Sequence, residues 1–524
     1  MEDILKVIYD TFTTEVSVET EQPKYRHYPF ETARKGHNEA IKKVLDNDIS
    51  VLAMQTGYGK TAIYLTALAE SGLNYCTVIV PRNWLQVQVV NYRSKIKTDM
   101  LCLFERTKHC NKKDLNDKAP CERKYLKRGK WVFKYKGREI EYPCEDCPYD
   151  AIKKEMIENP ECIAVLNQGN FWFMRPRTEF VVIDEADETI RSIVNAVSFP
   201  EKYESDDPID VLNWMENKVL EVIKSIMKKL EEPDANTDLE LLNRLLHVYE
   251  RRLRKIRFFK TYPPEKLITY TKNNSTFVEV FDSMINVAKR LFGHAKICLV
   301  TATYNIDSNN SIPIVNSEIP YRAKIIYYPI GNLSERNVFR RGNLDLLEKA
   351  VDVILKTYDY TVELTRMRKA PIHCGNIAKH GRYIYNMLSQ NGRSAILMEK
   401  GNQAKSIAEF IRDENVDFLC VVAAEYGFDW GFSPIQYILK VPFADLSDPK
   451  IKAIKRLLGS KFDEWYNWDA LSRLIQACGR NARSPNDFGI TIILDSCFEK
   501  VYREFEERVP KWFKDRLVWL SPSS

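Results

Sequence analysis

The 524-residue sequence lacks any run of about 18 consecutive apolar residues, which excludes a membrane-spanning helix. Its first residues, Met1-Glu-Asp-Ile, are acidic and have no basic region ahead of an apolar stretch, so we expect no secretory signal. Internal repeats and low-complexity tracts are also missing. The net charge is only +6, because 72 Asp and Glu nearly balance 78 Lys and Arg. Any nucleic-acid contact must therefore come from local basic patches.

The apolar segments that are present are short and alternate with helical patterns. Hydrophobic residues make up 44% of the chain, which is typical of a soluble globular protein, and the length allows about three domains. The segments 49–54, 77–81, 180–184 and 297–301 are predicted as buried strands, and the alternation resumes after about residue 340. This pattern predicts two α/β domains whose parallel sheets are covered on both faces.

Two segments interrupt the alternation in the first half of the chain. Residues 101–150 have no long apolar run and are rich in cysteine and charge. Residues 206–290 are predicted to be all-helical, since apolar residues recur at spacings of three and four from Leu212 to Leu230. Two further helices are predicted there, one over 239–259 and one over 277–292.

A phosphate-binding loop follows the first predicted strand. Gly57, Gly59, Lys60 and Thr61 match the P-loop pattern, although the Met54-Gln55 stretch ahead of them lacks the first glycine of the pattern. Glycines let backbone N–H groups turn toward phosphate oxygens at a helix N-terminus. We expect Lys60 to reach the β- and γ-phosphates of ATP and Thr61 to ligate Mg²⁺. The alternative is a glycine-rich turn followed by a chance Lys-Thr pair.

An acid pair closes the strand at 180–183. Asp184 is expected to hold Mg²⁺, and Glu185 to position and deprotonate the attacking water. Carboxylates at the end of a parallel strand lie at the edge of the sheet where ligands bind. The alternative is an acidic helix N-terminus that is stabilised by the helix dipole.

The second α/β domain contributes a predicted helix that ends in arginines. Arg480 and Arg483 lie at i and i+3 and so project from one face, where they suit a phosphate chain, and Gln476 lies one turn earlier. Asp429, in the segment Gly427–Gly431 after a predicted strand, is a further candidate for contact with the nucleotide. The alternative is a pair of solvated arginines.

Six of the twelve cysteines fall between positions 102 and 162, where an even spread would place one or two. A local cysteine cluster in an intracellular chain indicates a metal or iron–sulfur site. Four thiolates suit either [4Fe–4S] or structural Zn²⁺, and their spacing does not decide between the two. The candidate ligands are Cys110, Cys121, Cys144 and Cys147. We expect Cys102 and Cys162 to be core residues instead.

The same segment is strongly basic. Residues 106–138 contain thirteen Lys and Arg but only three Asp and Glu, and aromatic residues alternate within them at 131, 133 and 135. Such a segment suits a nucleic-acid backbone with stacked bases, and the alternative is a solvated loop whose aromatics pack on the cluster. A second basic run covers 251–257 and is more often a solvated helix face. The nucleic-acid candidates are Lys124, Lys127, Arg128, Lys130, Trp131, Arg251 and Arg254.

Taken together, the motifs resemble those of a superfamily 2 helicase. Gly57–Thr61 resembles motif I, Asp184–Asp187 motif II, Thr301–Thr303 motif III, and Gln476–Arg483 motif VI. Cysteines between motifs I and II, and a helical segment between motifs II and III, are similar to the XPD/DinG group. The resemblance covers about residues 25–500.

The resemblance implies an ATP-dependent helicase that moves 5′ to 3′ on single-stranded DNA and unwinds forked duplex DNA. It favours [4Fe–4S] over zinc and implies two RecA-like domains, the first carrying a Cys-rich insertion and an all-helical arch. The alternatives are an ATPase that translocates without separating strands, and a non-catalytic helicase-like scaffold. We expect a cytoplasmic, monomeric protein, and the compact build fits an archaeal or viral source. The expected divisions are 1–100, 161–205 and 291–335 for the first domain, 101–160 for the Cys-rich insertion, 206–290 for the arch and 336–524 for the second domain.

Three positions depart from the group. The group tends to have Arg-x-x-Gln where this sequence has Arg34-Lys-Gly-His37, a difference that bears on how adenine is read. Motif II ends in Asp187, where the group usually has histidine. Motif III begins with Thr301 instead of serine. None of the three removes a catalytic group.

Overall fold

A computed structural model describes residues 1–521 apart from 16, 55–56, 105, 113–117, 145, 175, 235, 302–313, 318–321, 400, 423–432 and 480–486. Over these residues the chain forms two seven-stranded parallel sheets with helices on their faces, and three smaller antiparallel sheets. None of the described helices is long and apolar enough to cross a membrane.

The helices are α1 (Glu2–Thr13), α2 (His37–Asp46), α3 (Lys60–Glu70), α4 (Asn83–Val90), α5 (Arg93–Ile96), α6 (Arg106–His109), α7 (Pro148–Glu158), α8 (Gln168–Met174), α9 (Ala186–Ile193), α10 (Pro208–Glu231), α11 (Leu239–Phe259), α12 (Met284–Phe292), α13 (Asp345–Thr365), α14 (Arg382–Gln390), α15 (Gln403–Arg412), α16 (Pro449–Leu458), α17 (Phe462–Cys478), α18 (Cys497–Glu504) and α19 (Lys511–Arg516).

The strands are β1 (Thr20–Glu21), β2 (Ala33–Arg34), β3 (Ile49–Met54), β4 (Cys76–Val80), β5 (Met100–Cys102), β6 (Tyr125–Lys127), β7 (Lys130–Tyr135), β8 (Arg138–Glu141), β9 (Ile163–Asn167), β10 (Phe180–Ile183), β11 (Val197–Phe199), β12 (Leu267–Lys272), β13 (Ser275–Val280), β14 (Lys296–Thr301), β15 (Ile314–Ser317), β16 (Arg322–Gly331), β17 (Ala370–His373), β18 (Ala395–Leu397), β19 (Phe418–Val421), β20 (Ile435–Ile438), β21 (Phe488–Asp495) and β22 (Leu517–Trp519).

The first large sheet has the order β15-β3-β14-β10-β4-β9-β5. All of its pairings are parallel. Its inner strands are apolar on both faces because helices cover both, with α2 and α3 on one side and α8, α9 and α12 on the other. The order places β14 between β3 and β10, so the loops that follow these three strands meet at one edge of the sheet.

The second large sheet has the order β18-β19-β17-β20-β21-β16-β22 and is also parallel throughout. Helices α13 and α14 cover one face, and α17, α18 and α19 cover the other. The two parallel-sheet domains predicted from the sequence are therefore confirmed.

Helix α1 packs on the second sheet, although the sequence analysis assigned residues 1–100 to the first domain. Its Ile4 and Ile8 are fully buried in the core that α13 and β16 form. The Phe12 ring packs edge-on against Phe488 of β21, with centroids 4.9 Å apart. The chain then crosses to the first domain, where β1 pairs with β2. Amphipathic periodicity predicts that a helix is buried on one face, but it does not indicate against which core.

The segment 206–290 is not all-helical, which corrects the predicted all-helical arch. Helices α10 and α11 form an antiparallel pair, but residues 267–280 form the hairpin β12–β13, which β11 extends to three strands. The turn residues Asn273 and Asn274 both have positive φ, as a two-residue hairpin turn requires. Thr276, Val278 and Val280 are buried alternately, a period of two that the helical interpretation of 277–292 overlooked.

The Cys-rich segment folds around the small sheet β6-β7-β8 and packs against the α10–α11 pair. Trp131 of β7 lies among apolar side chains of both helices. The Asn243 side chain of α11 donates to the Lys124 carbonyl at 2.6 Å. These contacts make the two inserted segments one continuous layer.

Candidate active site and nucleic-acid interface

The P-loop leaves β3 and enters α3 as the sequence predicts for a strand–turn–helix. Gly57 and Gly59 have φ of 83° and 96°, a region that residues with a Cβ rarely adopt. Lys60 is the first residue of α3 and is buried, and its Nζ donates to the Met54 carbonyl at 3.2 Å. Thr61 follows it in the first turn, where the helix dipole favours anions. Gln55 lies outside the described residues.

The acid pair lies at the end of β10, on the same edge of the sheet. Asp184 is buried and accepts a hydrogen bond from the Tyr64 hydroxyl of α3 at 3.1 Å. Burial, and then the charge of Glu185, raise the pKa of Asp184 to about 6, whereas Lys60 opposes the rise. Lys60 and Asp184 therefore lie close enough for their charges to interact where the P-loop meets the acid pair.

Two of the positions that depart from the helicase group contact each other. The Thr301 hydroxyl at the end of β14 donates to the Asp187 carboxylate in α9. Burial raises the pKa of Asp187, and this hydrogen bond opposes the rise. Sequence reasoning noted both residues separately but missed the pairing, which depends on β14 lying beside β10.

Residues at the start of α2 and just before it form hydrogen bonds with the P-loop backbone. The sequence did not predict these hydrogen bonds. Arg34 donates to the Gly57 carbonyl, and His37 Nε2 lies 2.8 Å from the Tyr58 carbonyl oxygen. His37 Nδ1 lies 2.6 Å from the Tyr28 hydroxyl. Arg34 and His37 lie 23 and 21 residues ahead of their partners in the loop, so no local sequence pattern indicates these contacts.

On the second domain, Gln476 lies half-buried near the C-terminal end of α17. The predicted residues Arg480, Arg483 and Asp429 lie outside the described residues. The structure therefore describes the nucleotide site from its first-domain side.

The four candidate cysteine ligands lie in the Cys-rich segment near the Arg106 guanidinium. Cys121 is buried beside Phe133, and Cys110 and Cys144 pack against the same small core. Cys147 Sγ lies 3.7 Å from Arg106 Nη1, and the Cys147 amide donates to the Cys144 carbonyl. Burial raises the pKa of Cys121, and that of Cys147 to about 11. Within the described ranges, no three His, Cys, Asp or Glu side chains are placed to hold one metal ion.

The basic segment divides into buried and exposed parts. Lys124 is buried, with its Nζ 4.4 Å from the centre of the Tyr142 ring and 5.3 Å from that of Trp131. Burial lowers the pKa of Lys124. Lys124 therefore lies inside the layer and is not an accessible nucleic-acid contact, and Trp131 is half-buried against the α10–α11 pair. The predicted alternative, aromatics that pack on the cysteine cluster, describes Phe133 and not Trp131.

The remaining candidates of this segment lie on the surface of the small sheet. Lys127 pairs with Glu139 at 2.6 Å, and Lys130 with Glu141 at 2.9 Å. Arg128 lies between them in the β6–β7 turn and is exposed. Cross-strand carboxylates thus neutralise part of the charge that the sequence window of 106–138 suggested.

The basic run on α11 is only partly a solvated face, because Arg254 and Arg257 are exposed but the other three cations are not. Lys255 is buried, and burial together with Arg251 lowers its pKa to about 7. Burial also lowers the pKa of Arg251 and of Arg252. Arg254 Nη1 donates to the Trp172 carbonyl at 2.6 Å. Among the described residues, Arg251 and Arg252 form no ion pair with a carboxylate, whereas Lys255 Nζ donates to the Asn195 side chain.

Comparison with known proteins agrees with this architecture. Residues 376–516 match the family model described as the helicase C-terminal domain. A solved structure of S. tokodaii Xpd4 superposes with a TM-score of 0.53 at 12% identity, over 93% of this chain and 99% of the other. A solved XPD helicase gives a TM-score of 0.54 at 13% identity, over 93% and 98% of the two chains.

Similarity to curated proteins is more local. An 89-residue segment is 33% identical to a regulator of telomere elongation helicase 1 homolog of Drosophila persimilis, and homologs from Drosophila sechellia and other fruit flies match equally. That segment is 15% of this chain and 9% of the fly protein. The chain thus matches less than a tenth of the length of these relatives.

The fold is of the class that the solved XPD helicase structures share, with two RecA-like parallel sheets. Within that class the chain is similar to XPD/DinG-type helicases, and the resemblance read from its motifs is confirmed.

Proposed function

We propose that the protein is an ATP-dependent DNA helicase that translocates 5′ to 3′ on single-stranded DNA and unwinds duplex DNA. The observation that carries the proposal is the convergence of Lys60, Asp184 and Glu185 at one edge of the first sheet. A P-loop lysine, an Mg²⁺-holding aspartate and a glutamate base are the parts that phosphoryl transfer to water requires. The DNA substrate and the polarity come from the resemblance to XPD/DinG helicases.

In this proposal the first domain binds ATP·Mg²⁺ and the second completes the site. Lys60 and the loop amides hold the phosphates, while Thr61 and Asp184 hold Mg²⁺. Glu185 orients the attacking water and accepts its proton. Gln476, Arg480 and Arg483 are proposed to approach the γ-phosphate from the second domain, with Asp429 at the nucleotide, so that closure of the cleft assembles the site.

We assign the four cysteines to a [4Fe–4S] cluster. The support is chemical: Cys110, Cys121 and Cys144 pack on one small core, and Cys147 lies one turn from Cys144. Each thiolate of such a cluster ligates its own iron, so the sulfur atoms lie further apart than the four around a single zinc ion. When bound, the cluster would cross-link three loops that have little apolar core of their own.

Arg251 and Arg252 on α11 are proposed as the nucleic-acid contact, with Arg128 and Lys130 as exposed contributors. Partly desolvated cations without carboxylate partners gain more from a phosphate than solvated lysines do. The supporting observation is that both arginines are half-buried and form no ion pair with a carboxylate among the described residues. Lys255 lies in the same turn but is buried, so it is not proposed as a contact.

The test is strand displacement from 5′-tailed and 3′-tailed duplex DNA with ATP and Mg²⁺, after anaerobic purification. We expect release from the 5′-tailed substrate alone. Lys60→Ala should lower DNA-stimulated ATP hydrolysis by about a hundredfold or more, because it removes a preorganised charge from the transferring phosphoryl group. The matched control is Lys43→Ala, whose exposed side chain pairs with Glu39 on α2.

Two other outcomes of this assay would each support one of the alternative functions. DNA-stimulated hydrolysis without strand release would indicate a translocase. Absence of any ATP turnover would indicate a non-catalytic scaffold.

The cluster is tested by metal content. Anaerobically purified protein should hold about four iron atoms per chain with matching sulfide, and Cys144→Ser should lower both. Cys162→Ser is the control, since Cys162 is buried next to β9 and is not a candidate ligand. Zinc in place of iron would identify the alternative metal, and wild-type protein without metal would refute the site.

A further inference from the structure

Three consecutive P-loop residues are contacted by the segment that leads into α2. Arg34 donates to the Gly57 carbonyl, and His37 lies 2.8 Å from the Tyr58 carbonyl oxygen. The imidazole also fills the space beside Gly59, where an added Cβ would lie 2.9 Å from His37 Cε1. The Tyr58 hydroxyl in turn donates to the Lys35 carbonyl at 2.7 Å. The loop is therefore held from the side of α2.

The environment of His37 determines its tautomer. The side chain is 2% exposed, and burial lowers its pKa to about 4, so the ring is neutral near pH 7. A carbonyl oxygen only accepts, so Nε2 carries the proton and donates to Tyr58. Nδ1 then accepts from the Tyr28 hydroxyl at 2.6 Å. Both ring nitrogens are used inside the protein.

Peptide planarity connects this contact to phosphate binding. The Tyr58 carbonyl and the Gly59 N–H belong to one trans peptide unit and point in opposite directions. Holding the carbonyl toward His37 therefore turns the Gly59 N–H toward the opposite side of the loop. Amides oriented in this way form the concave site that binds phosphate oxygens.

We propose that His37 is a positioning residue that orients the Tyr58–Gly59 peptide for the phosphate chain and does not read the nucleotide base. This inference rests on the proposed nucleotide site. A residue that reads adenine affects ATP and leaves a base-free phosphate chain untouched, whereas a residue that orients a loop amide affects both equally. Comparing the affinities for ligands with and without a base therefore distinguishes the two roles.

The experiment measures displacement of a fluorescent ATP analogue from the full-length protein in Mg²⁺ by ATP, GTP and inorganic tripolyphosphate. His37→Phe keeps the ring and removes both hydrogen bonds, and we expect it to weaken all three ligands by the same factor, about tenfold. His37→Gln should recover part of the loss, because its amide can donate to the Tyr58 carbonyl. Tyr28→Phe, which removes only the outer hydrogen bond, should give a smaller and equally base-independent loss.

The matched control is His27→Gln, in the same segment. His27 Nδ1 lies 2.8 Å from the Ile96 carbonyl and does not contact the P-loop, so all three affinities should stay at the wild-type values. Thermal melting of every variant separates loss of folding from loss of binding.

A loss for ATP that spares tripolyphosphate, or a changed ratio of ATP to GTP affinity, would overturn the proposal. Unchanged affinity for all ligands in a folded His37→Phe protein would overturn it as well. The assay needs neither hydrolysis nor DNA. A wild-type protein that binds tripolyphosphate but neither hydrolyses ATP nor unwinds DNA would therefore refute the proposed function and leave the role of His37 standing.

Discussion

Glu185 adopts a left-handed backbone conformation, with φ of 43° and ψ of 56°, at the start of α9. A residue with a Cβ pays for this conformation in free energy, and such positions concentrate at functional sites. The preceding Asp184 accepts a hydrogen bond from the Glu185 amide at 2.9 Å, which holds the turn in place. Asp184 is buried and Glu185 is half-buried, a difference that fits their proposed roles of holding Mg²⁺ and activating water.

Glu185→Gln should lower ATP turnover about 10²- to 10³-fold and leave ATP binding within about twofold, because it removes a general base and keeps the side-chain shape. The measurement is phosphate release together with nucleotide binding. Glu188→Gln is the control, since that carboxylate lies on the same helix but pairs with Arg82 at 2.9 Å. Turnover within tenfold of the wild type for Glu185→Gln would remove Glu185 from the mechanism.

At the scale of elements, the contact between the Cys-rich segment and the α10–α11 pair depends on Trp131. Its ring packs against the buried cluster of Ile226, Leu230 and Leu246. The alternation of aromatics in β7 correctly indicates a strand, and it places Trp131, Phe133 and Tyr135 on one face. Along that face Trp131 packs toward the helices, and Phe133 packs toward the cysteines. Trp131, which the sequence suggested as a base-stacking residue, therefore packs the Cys-rich segment against the helices.

Trp131→Ala should lower the free energy of unfolding by about 2 kcal/mol, less than for a fully buried ring, because it leaves a cavity between the two inserted segments. Trp131→Phe should recover most of the loss. Urea denaturation of the two variants is the measurement, with Lys134→Ala on the exposed face of the same strand as control. Loss of DNA affinity at unchanged stability would instead restore Trp131 as a nucleic-acid contact.

At the scale of the whole molecule, the two domains touch at more than their sheets. Lys450 of α16 pairs with Glu279 of β13 at 2.6 Å, and Lys272 of β12 pairs with Asp448 at 2.8 Å. Apolar side chains of the hairpin, including Ile268 and Tyr270, pack on the same helix. The hairpin and α1 therefore connect the first domain to the second on separate surfaces, and movement of the cleft must bend or break these contacts.

The Glu279–Lys450 pair is partly exposed, so its contribution should be modest. A double-mutant cycle of Glu279→Gln and Lys450→Gln should give a coupling of about 0.5–1 kcal/mol in the free energy of unfolding, decreasing at high salt. The equivalent cycle on the exposed Lys349–Asp345 pair within α13 serves as the reference. A coupling of zero would show that the apolar contact alone holds the hairpin on α16.

Local patterns were sufficient for the parallel sheets and for the P-loop, because buried strands need continuous apolar runs and phosphate loops need glycine at positive φ. The same patterns identified Asp184 and Glu185 at a strand end. They did not identify the β12–β13 hairpin, although Asn273-Asn274 between alternating segments was a usable signal. For Lys124 and Trp131, counting basic and aromatic residues in the sequence could not show whether these side chains lie on the surface or in the interior of the fold.

The strands of the two parallel sheets and the strand–turn–helix of the predicted P-loop followed from the order of amino acids alone, since both depend on neighbours in the chain. Only the tertiary structure decided which residues and elements contact each other. It brought Thr301 to Asp187, His37 to the Tyr58 carbonyl, Trp131 to the helical pair and α1 to the second sheet. These contacts join residues far apart in sequence, or on separate elements, and the packing of those elements determines them.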